Sequence, residues 1–176
     1  TACGGSDTTT ETSVVETTET TSASSTYPVT VGDLTLTTQP MRIISLSPTA
    51  TEMLYAIGAG AQVVAVDDYS NFPAEAVALG TALSGYEPNV EAIAGYTPDL
   101  VIVAYDAGGI VDQLKSLSIP VFMAAAATSF EDVYSQIEQL GALTGNLENA
   151  VQLSGQMQTD IAAAVAEVQL PTTPIT

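Results

Sequence analysis

The chain has 176 residues, 46% of them hydrophobic, and 20 acidic residues stand against two basic ones for a formal net charge of -18. That is enough for one domain with its own core. The two cations, Arg42 and Lys115, cannot neutralise a phosphate backbone or grip an anionic bilayer, which argues against nucleic acid and a polybasic membrane contact. The chain has no histidine and a single cysteine, which removes His-based nucleophilic catalysis, the usual zinc sites and an internal disulfide.

Residues 1–26 are rich in Thr, Ser and Glu and show no apolar period, so they read as a disordered tether that cannot bury enough surface to offset its ordering entropy. The absence of a starting Met fits a removed export signal. Cys3-Gly4-Gly5 resembles the lipid-attachment end of a bacterial lipoprotein signal, with Cys3 as the acylated N-terminus. The alternative is an incidental surface cysteine.

From Val29 the pattern changes. Val29–Val31 and Leu34–Thr37 alternate around Gly32-Asp33 and predict a hairpin. Arg42–Leu46 reads as a strand. A helix follows from Ser47-Pro48-Thr49, with Pro48 in its first turn, Thr49 and Glu52 as a capping box, and Gly58 and Gly60 as its stop. Val63–Val66 is a second apolar strand leading into the polar loop 67–73. Asn89 caps a short helix, Val90–Ala94. Asp99–Ala104 is a third strand, Ile110–Leu117 a helix, and Pro120–Met123 a fourth strand. Ser129–Leu143 carries Phe130, Val133, Ile137 and Leu140 on one stripe, and Asn146–Val168 carries Leu147, Val151, Ser154, Met157, Ile161, Val165 and Val168 near a heptad spacing.

Apolar strands alternating with helices imply an α/β fold, a three-layer Rossmann-like lobe with a mainly parallel sheet. Ligands of such sheets sit beyond the carboxyl ends of the strands, which points to the loops 47–51, 67–73, 84–89 and 104–109. No GxGxxG or GxxxxGK[ST] occurs to mark a nucleotide enzyme. Asp67, Asp68 and Asp106 match no EF-hand spacing and read as solvated rim charges. Ser47, Pro48 and Thr49 open a helix whose free N–H groups could hold an anionic group, with simple capping as the alternative.

Four blocks in order, RIISLSPTATEMLYAIGAG, VVAVDDYSNFP, LSGYEPNVEAIAGYTPDLVIVAY and QLKSLSIPVF, resemble the first lobe of the cobalamin and iron-siderophore class of periplasmic binding proteins. The resemblance implies a binding protein rather than an enzyme, without cofactor or metal, that clamps a corrinoid or ferric siderophore between two lobes and feeds the permease subunits of an ABC importer. It implies an extracytoplasmic, lipid-anchored location. It also divides the chain into a tether (1–26), a first lobe (27–145), a long interlobe helix (146–168) and the start of a second lobe (169–176), the second lobe itself being absent. Aromatic residues matching Tyr69 and Tyr86 contact ligand in the cobalamin-binding members, Tyr105 falls near a further aromatic position, and Glu91 matches a glutamate that meets an arginine of the permease. The alternative readings are ordinary loop tyrosines, a helix first-turn acid favoured by the macrodipole, and a cell-surface interaction module that keeps the lobe without transport. With Arg42 at a strand start and Lys115 on an outer helix face, the lobe offers little grip on an anionic chelate, which favours a neutral macrocycle.

Overall fold

The computed structural model describes residues 27–168, together with Thr1, so the expectations for Cys3, for the tether and for residues 169–176 lie outside the described residues. The predicted hairpin is present as β1 (Val29–Val31) and β2 (Leu34–Leu36), an antiparallel pair turning at Gly32 with φ 55°. The predicted parallel sheet is present as β3 (Ile43–Leu46), β4 (Val63–Val66), β5 (Leu100–Val103) and β6 (Val121–Met123), in the order β4-β3-β5-β6.

Strands this apolar must be covered on both faces, and two separate cores do this. On one face Ile43, Val63, Leu100, Ile102 and Phe122 pack with Leu54 and Ile57 of α1 (Pro48–Ala56) and its C-terminal end, and with Ile137, Leu140 and Leu143 of α5 (Phe130–Thr144). On the other face Ile44, Leu46, Val101 and Val103 pack with Ile93 of α3 (Val90–Gly95) and with Ile110 and Leu114 of α4 (Ile110–Ser116). A single turn, α2 (Ala74–Val77), follows the β4 loop, and α6 (Leu147–Glu167) is the expected long helix, docked on α5. Among the described residues no helix is long and apolar enough to cross a membrane.

Several local readings need correction. Ser47, not Thr49, caps α1: the Ser47 Oγ accepts from the Ala50 N–H at 3.3 Å, with Pro48 at the first helical position and Glu52 exposed. The capping box of this chain lies at α5, where Ser129 and Asp132 bond each other's backbone N–H. Phe130 is exposed and stacks on Tyr134. On α6, Ser154 and Met157 of the expected stripe are packed, whereas Leu147, Val151, Val165 and Val168 are exposed and Ala150, outside the stripe, is buried, so the heptad reading holds only in the middle of the helix. The reason is Gly141 of α5: a Cβ there would clash with the Ala150 Cβ, so the first turns of α6 approach α5 through two small residues.

Candidate functional site

The loops at the carboxyl ends of β4 and β5 carry Tyr69 and Tyr105, and Tyr86 comes from the loop between α2 and α3. The three rings meet. Tyr69 and Tyr86 contact edge to face with centroids 5.3 Å apart, and Tyr86 and Tyr105 lie 6.1 Å apart at 52°. These are favourable aromatic geometries. All three side chains nonetheless remain largely open, at 56%, 64% and 44% exposure, so the cluster is a platform rather than a core.

Gly85 explains how Tyr86 reaches the other two. A Cβ at that position would sit 2.9 Å from the Leu46 carbonyl oxygen and 3.0 Å from Asp67 Oδ2, so only a glycine lets the loop backbone lie this close to the end of β3. The rings therefore form a row across the ends of β4, β3 and β5, spanning the β3/β5 junction where the chain changes direction across the sheet. Open α/β sheets bind ligands at such a switch point.

Beneath the rim lies a buried polar chain. Ser45 interrupts an apolar strand and donates to the Ser47 carbonyl at 3.1 Å. The Thr51 hydroxyl lies 2.9 Å from both Ser45 Oγ and Ser70 Oγ, and Ser70 donates to Asp67 Oδ1 at 2.5 Å. Asp67 is only 4% exposed, which overturns its reading as a solvated rim charge. Burial raises its pKa, Ser70 opposes the rise, and the neighbouring Asp68 adds to it. Asp68 and Asp106 are exposed, as expected. The signal available in sequence was Ser45 itself, because a hydroxyl between buried apolar neighbours needs a partner.

The other expected positions divide. Ser47 is buried and occupied with capping. Pro48 has no N–H, and the Ala50 and Thr51 N–H groups are taken by Ser47, which leaves this helix end little to offer an anion. Glu91 is exposed in the first turn of α3, which Asn89 caps through the Ala92 N–H as predicted. The two cations lie away from the tyrosines. Arg42 precedes β3 at the opposite end of the sheet and gives its guanidinium to the Tyr96 and Thr97 carbonyls, and Lys115 lies in the last turn of α4. No group of three or more His, Cys, Asp or Glu placed to hold a metal occurs among the described residues.

Comparison with known proteins gives the chain its context. The pattern of the family described as "Periplasmic binding protein" matches residues 43–175. A cobalamin-binding protein of Halobacterium salinarum is 34% identical over 150 residues, covering 80% of this chain and 40% of the relative. An uncharacterised ABC transporter substrate-binding lipoprotein of Bacillus subtilis is 33% identical over 144 residues, covering 77% of this chain and 46% of the relative. The crystal structure of the periplasmic vitamin B12 binding protein of Vibrio cholerae superimposes with a TM-score of 0.63 at 30% identity, covering 74% of this chain and 52% of that one. The chain thus spans less than half the length of these curated relatives.

Proposed function

The chain belongs to the periplasmic binding protein family, and on that premise we propose that it forms one wall of an extracytoplasmic solute receptor serving an ABC importer, with the tyrosine rim as the wall that meets a cobalamin-like or iron-chelate ligand. The observation that carries this reading is the meeting of Tyr69, Tyr86 and Tyr105 in one exposed row over the strand ends. Such a row offers exposed aromatic surface together with phenol hydroxyls, the chemistry that suits a large, mostly apolar ring system. The nearby charges are the exposed acids Asp68, Glu87 and Asp106, and the Arg42 guanidinium is engaged at the far end of the sheet. A neutral corrinoid therefore suits the rim better than an anionic ferric chelate.

Calorimetric titration of the chain with cyanocobalamin and with an anionic ferric catecholate tests this. The expected result is measurable corrinoid binding at least about tenfold tighter than catecholate binding, a difference of about 1.4 kcal/mol. Tighter catecholate binding would reverse the ligand class, and no binding of either would remove the rim from solute recognition. Two outlying parts of the proposal are an acylated Cys3 as membrane anchor, which mass spectrometry of membrane-extracted protein checks, and an exposed Glu91 that pairs with a permease arginine. A rim pair of that kind fixes docking register more than affinity, so Glu91→Ala is expected to slow uptake without changing solute affinity.

A further inference from the structure

We infer that Asp67 is the positioning residue of the tyrosine rim, a buried carboxyl whose protonation state sets how firmly the loops carrying Tyr69 and Tyr86 are held to the sheet. This rests on the reading of that rim as the solute-binding face, and deepens it.

Asp67 occupies the point where four segments converge. Its N–H donates to the Ser45 carbonyl at 3.0 Å, fixing it to the end of β3. Its Oδ1 accepts from Ser70, one residue beyond Tyr69, and Ser70 in turn is held by Thr51 of α1. Its Oδ2 lies against the place where Gly85 has no Cβ, one residue before Tyr86. The adjoining Asp68 N–H donates to the Leu83 carbonyl at 2.8 Å, and Thr81 bonds both the N–H and the carbonyl of Val66, so the strand end and the 81–85 segment are joined on either side of this carboxyl. Tyr69 and Tyr86 are each two residues or fewer from a direct neighbour of Asp67.

The chain of hydroxyls can follow either charge state. With Asp67 ionised, Ser70 donates to it, Thr51 donates to Ser70, and Ser45 donates to the Ser47 carbonyl, so every hydroxyl proton is used once. With Asp67 protonated, its own O–H can donate to Ser70 Oγ, which frees the Ser70 proton for Thr51. What differs is the cost of a charge at a position only 4% exposed: burying an ionised carboxylate is unfavourable unless it is fully paired. Titratable groups on the surrounding segments are Glu52 on α1, Asp68 and Tyr69 on its own loop, Tyr86 and Glu87 on the facing loop, and Asp106 after β5. Of these, Asp68 acts on Asp67, and being of like sign it adds to the cost of ionisation. Ionisation in the folded protein thus requires a higher pH than in the unfolded chain. The folded state holds the proton longer, and stability is lost as pH rises through the window between the ordinary carboxylate value and the raised one. Loosening in that window falls first on the loops that meet at the carboxyl.

The test uses the whole chain without and with solute. In the free chain, ring resonances of Tyr69 and Tyr86 are expected to shift and broaden as pH rises from about 4 to 8, with corrinoid affinity falling about threefold or more over the same range. Asp67→Asn, which keeps the shape and removes the charge, is expected to flatten both profiles. Ser70→Ala, which removes the donor that favours the ionised form, is expected to move the midpoint upward. If Asp67→Asn keeps the wild-type pH profile, or Ser70→Ala leaves the midpoint in place, the inference is overturned. Because the ring response is read without solute, a chain that shows it but binds no corrinoid would sink the proposed function and leave the role of Asp67 standing.

Discussion

Tyr86→Ala is expected to weaken corrinoid binding about 10- to 100-fold, a loss of roughly 1.4–2.8 kcal/mol. Tyr86 is the middle ring of the row and the one that touches both others, so its removal deletes both ring–ring contacts and the central contact surface at once. Each such aromatic contact contributes about 0.5–1.5 kcal/mol beyond its area. The cost to folding is expected to be confined to those two ring–ring contacts, because the side chain is 64% exposed. A companion variant, Gly85→Ala, keeps all three rings but forces the loop off the Leu46 carbonyl and Asp67, and it should lose affinity to a similar degree. Calorimetry paired with thermal melts reads both. A Tyr86→Ala chain that binds as tightly as wild type would separate the rim from recognition.

The melting temperature is expected to rise by roughly 5–10 °C when sodium chloride is raised from about 0.05 to about 1 M, equivalent to about 2–3 kcal/mol for a domain of this size. The argument is one of charge. Acids outnumber bases by 18, and Arg42 turns its guanidinium to backbone carbonyls rather than to a carboxylate. In most proteins salt also weakens ion pairs, which offsets the relief of repulsion. Here there is little to weaken, so screening acts in one direction. Chloride is the right salt because sulfate would also strengthen apolar burial. A flat or falling melting temperature would show that the carboxylates do not repel one another appreciably in the fold.

Much of the fold was legible because the elements that make it are locally decided. Strands such as LVIV at 100–103 are apolar throughout and can only be buried on both faces, and Asn89 stands where a capping side chain is needed. The register of α6 was legible only at Ser154 and Met157, since the packing of its first turns depends on Gly141 and Ala150 meeting across two helices, a contact between small residues that leaves no hydrophobic period. In the site, Tyr69 was readable from its loop after a strand, Tyr86 and Tyr105 only through the family resemblance, and the structure brings all three together. Asp67 was not, because an aspartate in a polar loop looks solvated until the loop is folded under Gly85 and beside Ser70.

The most direct measurement is a titration of the chain with cyanocobalamin followed at the ring resonances of its seven tyrosines, Tyr27, Tyr55, Tyr69, Tyr86, Tyr96, Tyr105 and Tyr134. Two of the others line hollows elsewhere on the surface, Tyr55 beside Phe72 and Glu75, and Tyr134 beside Phe130 and Val165, so they report on competing sites in the same spectrum. The predicted result is saturable movement of Tyr69, Tyr86 and Tyr105 together, with the remaining four unmoved. Movement of Tyr55 or Tyr134 while the three rim tyrosines stay in place would contradict the assignment of the rim as the solute-binding wall.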